Sequence, residues 1–121
     1  MKVYADYNGE VPAGVVVLRE GAITRINFDY DTETKEVDGE EIEVLVFENV
    51  DIEGAVEYGK IVSAIVRDKF PQDQVEAILA NGSDTPEHAA ELEAFQEWRA
   101  KAKEIAHAVI AEVFGAEEEE E

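Results

Sequence analysis

The segment Gly54-Ala55-Val56-Glu57-Tyr58-Gly59-Lys60-Ile61 comes nearest of any in the chain to a chemical motif. Its Gly-x4-Gly-Lys spacing is that of a phosphate loop, in which backbone N–H groups and a lysine surround phosphates and a following Ser/Thr hydroxyl binds magnesium. Here Ile61 stands at the hydroxyl position, and Asp51, Glu53 and Glu57 add negative charge where a polyphosphate would approach. The segment therefore reads as a strand-to-helix turn. Gly54 relieves the chain reversal, Ile61 joins a buried helical stripe, and no nucleotide or other cofactor is expected.

The remaining reactive side chains do not converge by spacing. His88 and His107 fall on one expected helix, about 28 Å apart at 1.5 Å per residue, too far to share a metal ion. Ser63 and Ser83 have no histidine at a spacing that points to a triad. Asp29, Asp31 and Glu33 alternate as calcium ligands do, but Thr34 stands where the calcium loop needs glycine. That stretch reads as a solvated hairpin loop. Asn81-Gly82-Ser83 matches a glycosylation acceptor only formally. With no cysteine, disulfides and thiolate chemistry are excluded. No catalytic, cofactor-binding or metal-ligating residue is expected.

The balance of 10 basic against 30 acidic residues, a net charge of −20, repels nucleic-acid phosphates and anionic lipid. Neither is an expected partner. The start Met1-Lys2-Val3-Tyr4 lacks the order of a secretory signal, and no long apolar run is present, so a soluble, cytoplasmic protein is expected. Glu117–Glu121 reads as a disordered acidic tail.

These residues must be positioned by a single α+β domain over residues 1–116, strand-rich over 1–50 and helical over 54–114. Asn8-Gly9, Glu20-Gly21 and Asp38-Gly39 punctuate short apolar runs, which predicts an N-terminal antiparallel β meander. Thr24, Ile26, Phe28 and Tyr30 alternate with Arg25, Asn27 and Asp29, one dry face and one wet. Ile26, Phe28, Val44 and Val46 are the expected core positions. Val15-Val16-Val17-Leu18 lacks alternation and should be the most buried strand. Three C-terminal helices follow. The first ends before Pro71, the second carries Val75, Ile78 and Leu79 and ends at Asn81-Gly82, and the long third opens at Thr85-Pro86-Glu87.

The third helix, read as ending near Phe114-Gly115, spans about 43 Å. Strands of five to nine residues would span only about 17–30 Å, so its last turns should overrun the sheet. Ile105, Val109, Ile110, Val113 and Phe114 would then form an exposed apolar patch, the candidate interaction surface, covered by the same helix of a second copy in a homodimer.

Tyr58-Gly59-Lys60-Ile61-Val62, Arg67, Phe70, Glu76-Ala77-Ile78 and Phe95 through Lys103 give residues 58–106 a similarity to short uncharacterised bacterial and prophage proteins, some encoded beside phage-tail components. The resemblance implies a tail-associated or virion-associated setting and supplies no catalytic residues. The leading expectation is a non-enzymatic protein–protein interaction or assembly protein. Two others stand beside it: an acidic DNA mimic inhibiting a nucleic-acid-binding enzyme, recognisable by carboxylate rows at phosphate-like spacing, and a small metal- or carboxylate-dependent hydrolase, recognisable by acids and histidines converging in a pocket.

Overall fold

The computed structural model describes residues 1–119, with side chains through Gly115. Four strands, β1 (Lys2–Asp6), β2 (Val16–Glu20), β3 (Ile23–Val37) and β4 (Glu40–Glu53), precede three helices, α1 (Tyr58–Lys69), α2 (Gln72–Asn81) and α3 (Pro86–Glu119). The sheet is antiparallel throughout, in the order β1-β4-β3-β2. The meander therefore runs over β2, β3 and β4, and β1 closes on the far side of β4. The architecture is α+β, as the hairpin signals and the helical periodicity imply.

Two tight turns set the registers. Asp38 and Gly39, both at positive φ (53° and 81°), join Val37 to its partner Glu40, the left-handed pair that matches strand twist in a two-residue hairpin. Gly21 (φ 61°) and Ala22 join Glu20 to Ile23. Between Phe28 and Asp31 the β3–β4 register shifts, with Asp29 at φ 55°. This bulge adds a residue and inverts the alternation. Thr24, Ile26 and Phe28 face the helices opposite Ile52, Val50 and Glu48, whereas Tyr30 goes to the other face and stacks on Phe47 with centroids 4.8 Å apart. The sequence pattern had grouped Tyr30 with Phe28, and the bulge separates them.

The polar stretch Asp31–Val37, expected as a loop, is the second half of β3. Its strand partner lies only in β4, because β2 pairs with Ile23–Asn27 alone. Val44 is the last β4 residue to pair with β1, and beyond it residues 34–43 form a two-stranded arm. The helices cover the base of the hairpin instead. Ile26, Phe28, Val50, Ile52, Val56, Ile61, Ile65, Ala102, Ala106 and Val109 form the main core cluster. Val46 is buried outside that cluster and Val44 is half-buried, so the β4 contribution lies further along, at Val50 and Ile52. β2 is an edge strand with Leu18 46% exposed, not the most buried strand.

The helix limits follow their signals. α1 stops at Lys69, with Phe70 extended before Pro71; α2 ends on Gly82 at φ 59°. The Thr85 hydroxyl accepts the His88 backbone N–H at 3.1 Å, capping α3. A second cluster, Phe70, Ile78 and Phe95, ties α2 to α3. α3 continues past Phe114-Gly115 to Glu119. The tail expected over 117–121 falls on side chains outside those described and, at 120 and 121, outside the described residues altogether.

Candidate functional site

The Gly54–Lys60 turn has its lysine turned back on the chain. Lys60 Nζ donates to the carbonyls of Glu53 and Ala55, both at 3.0 Å, and Gly54 (φ 79°) donates its N–H to the Ala22 carbonyl at 2.8 Å. The ammonium thus ties down the carbonyls of the β4–α1 connection, the work of a turn clamp. Several of the acids singled out above, and His88, are likewise paired. Lys101 Nζ meets Asp29 Oδ1 at 2.7 Å, Lys2 Nζ meets Glu33 Oε1 at 2.9 Å, and His88 Nδ1 contacts Asp84 Oδ1. The hydrogen bond from His88 holds the exposed Asp84 carboxyl below its ordinary value. His107 lies against the Tyr58 ring, centroids 4.8 Å apart. Among the described residues, no group of three or more His, Asp or Glu is disposed to hold a metal ion, and no helix is long and apolar enough to cross a membrane.

The five residues expected as an exposed patch on α3 belong to the chain's own core. Val109 is fully buried, and Ile105, Ile110, Val113 and Phe114 are partly buried against the main cluster. The end of α3 does not overhang, because α1 lies along it: Tyr58 meets His107, and Ile61 and Ile65 share the core cluster with Val109. Val15 and Val17 of the β2 edge pack against the same cluster.

An unfilled surface lies elsewhere. α1, α2 and α3 bound a groove of about 390 Å³ lined by Val62, Val66, Val75, Leu79 and Phe95, with Ser63, Gln72, Arg67 and Arg99 as its polar members. That volume is within the range of small-molecule and peptide-anchor sites. Phe95 forms the floor, its ring edge-on to Phe70 at 5.5 Å between centroids, while Leu79 stands 59% exposed at the rim. Among the described residues, neither guanidinium belongs to an ion pair, although the chain is strongly acidic. Two unpaired arginines beside an apolar floor can grip a carboxylate whose neighbouring atoms are apolar.

The sequence contains one signal for this groove. Val75, Ile78 and Leu79 fall at i, i+3 and i+4 on α2, with Ile78 and Leu79 about 100° apart at the two margins of one apolar stripe. In the fold Ile78 is 2% exposed and Leu79 59%. Arg67 and Arg99 carry no comparable signal, because 32 residues separate them and only the packing of α1 on α3 brings them together. Comparison with known protein families, with curated proteins and with solved structures finds no match for this chain.

Proposed function

We propose that this protein is a non-enzymatic protein-interaction module, serving assembly, that engages its partner through the α1–α2–α3 groove. The observation that carries the reading is the coincidence of an exposed apolar rim, Leu79, with two arginines that have no ion-pair partner among the described residues of a strongly acidic chain. The local engagement of Lys60, Asp29, Glu33 and His88 adds support, since each performs a structural task in the fold. A homodimer built on the end of α3 would have only the partly exposed Ile105, Ile110, Val113 and Phe114 to use, because Val109 is fully buried in the monomer. The groove is the better meeting surface.

The resemblance to prophage proteins encoded beside tail genes indicates where to seek the partner, among the products of adjacent genes, and the working site would be the cytoplasm or an assembling virion. The carboxylate rows of a DNA mimic are interrupted along β3, one face of which reads Asp31, Glu33, Lys35, Val37. The test is co-expression with each adjacent gene product, with a photo-crosslinking residue placed at Leu79 or, as a control, at Leu18 on the β2 edge. Adducts confined to position 79, and lost when Val75→Asp is added in a chain whose circular dichroism is unchanged, support the module. Adducts only at position 18 move the interface to the sheet and refute the groove.

A further inference from the structure

We infer that the groove receives a short helix from a partner protein, and that this helix presents a single carboxylate, on its otherwise apolar face, to Arg67 and Arg99. The inference rests on the interaction reading above and adds the chemistry of the occupant.

Length argues for a helix. On α2 the lining residues Gln72, Val75 and Leu79 recur at i, i+3 and i+7, and on α1 Val62 and Val66 recur at i and i+4. The wall is therefore about 10 Å long, the span over which a docked helix presents its i, i+3/i+4 and i+7 anchors. The groove is open along its rim, with Leu79 59% exposed, which suits a laid-in segment more than an engulfed small molecule.

Charge then limits the occupant to one acid. Among the described residues, Arg67 and Arg99 are the only cationic residues lining the groove, and a carboxylate between them would gain charge-assisted, two-point hydrogen bonding. A segment with several acids would be repelled by a body of net charge −20. A neutral or basic segment bearing one acid satisfies both fields, its basic flanks meeting exposed acids such as Asp73 and Glu76 beside the lining residues of α2.

The experiment uses the full chain, isotopically labelled, titrated with a synthetic Ala/Lys helix carrying Leu at i, i+4 and i+7 and Glu at i+3, and with its Glu→Gln twin. Backbone amide shifts are read across α1 and α2, and affinity by calorimetry. The expected result is saturable shifts around Val62–Arg67 and Val75–Leu79, with the Glu peptide binding about tenfold tighter than the Gln peptide, as one charged hydrogen bond implies. In Arg67→Ala or Arg99→Ala, both exposed positions and each checked for unchanged circular dichroism, the two peptides should bind alike. Equal binding of both peptides by the unaltered chain overturns the carboxylate inference and leaves the interaction reading standing. No groove shift with either peptide at millimolar concentration overturns the partner helix, and crosslinks only at position 18 in the experiment above remove the interaction reading as well. Decanoate shifting the same amides more tightly than the Glu peptide would make the occupant a small amphiphile, and shifts that grow with the chain's own concentration would make it a second copy. Either result refutes the partner helix.

Discussion

Trp98 Nε1 on α3 donates to the main-chain carbonyl of Ile65 on α1 at 2.9 Å. The same indole lies 6.3 Å from the Phe28 ring and beneath the Lys69 ammonium at 4.4 Å, so it touches the sheet, the main core and the second cluster. Trp98→Phe keeps most of the apolar area and loses the hydrogen bond. The expected cost is about 1–2 kcal/mol, a fall in Tm of about 4–8 °C for a domain of this size. Trp98→Ala should cost about 3–5 kcal/mol. Equal melting of the Phe variant and the parent would show that the indole N–H contributes nothing.

Asp29 combines a left-handed backbone (φ 55°) with the ion pair to Lys101. Both side chains are more than a third exposed, or nearly so, at 42% for Lys101 and 34% for Asp29, which limits the pair to about 0–1 kcal/mol. The backbone geometry should weigh more. Asp29→Ala, which keeps the strain of a Cβ and loses the pair, is expected to cost about 1–2 kcal/mol, and Asp29→Gly to fall within about 0.5 kcal/mol of the parent. Chemical denaturation of both variants decides it, and a Gly variant as unstable as the Ala variant would reverse the ranking.

Glu48 faces the helices beside Phe28 and Lys2, and its Oε2 has neither solvent exposure nor a hydrogen-bond donor. Lys2, its cross-strand neighbour, turns to Glu33 instead. A sealed carboxylate oxygen without a donor weakens the fold, so Glu48→Met should raise stability by about 1 kcal/mol. A destabilised Met variant would mean that Glu48 has a partner it needs.

The fold class was legible because its signals are local. Gly39 and Gly82 mark backbone reversals, Pro71 forbids continuation of α1, and Thr85 caps α3, each acting within a few residues. What escaped depended on distance or on a single inserted residue. The bulge at Asp29 carries no local mark beyond a residue tolerant of positive φ, yet it sends Tyr30 to the opposite face. The polar Asp31–Val37 stretch passes for a loop because no helix covers it, and the overhang expected at Val109 is absent because α1 and Val17 of β2 pack there, a long-range arrangement with no local mark. In the groove, only the apolar stripe of Val75, Ile78 and Leu79 was legible, not which of its margins would be exposed.

The Lys2–Glu33 pair should give a stability plateau with two edges. The hydrogen bond from Lys2 lowers the Glu33 pKa and the bond to Glu33 raises that of Lys2. A lowered carboxyl contributes above its unfolded pKa and loses the contribution as pH falls through its folded value. A raised lysine contributes below its unfolded pKa and loses it as pH rises through the folded value. The stability difference between the parent and Lys2→Met plus Glu33→Gln should therefore be constant from about pH 5 to pH 9.5 and shrink beyond both ends. The Lys2 and Glu33 side chains are 52% and 40% exposed, so high salt should diminish the plateau. A difference that grows towards acid pH would assign the effect to other groups.

The arm beyond the core should be dispensable for folding. The main cluster draws its sheet residues from Ile26, Phe28, Val50 and Ile52, and β1 pairs with Val44–Glu48, all short of the arm's outer half. Deleting Thr34-Lys35 together with Ile42-Glu43 takes facing residues from both strands. An even number is lost from each, so the alternation of faces is preserved and the Asp38-Gly39 turn moves inward intact. The deletion does remove Lys35, whose ammonium lies 3.7 Å from the Tyr4 ring centroid, a contact worth about 0.5–1 kcal/mol at an exposed site. The shortened chain should give a cooperative melt within about 4 °C of the parent, with the same helical circular dichroism. A chain that no longer melts cooperatively would show that the arm, though outside the core, holds the β3–β4 register on which the helices are laid.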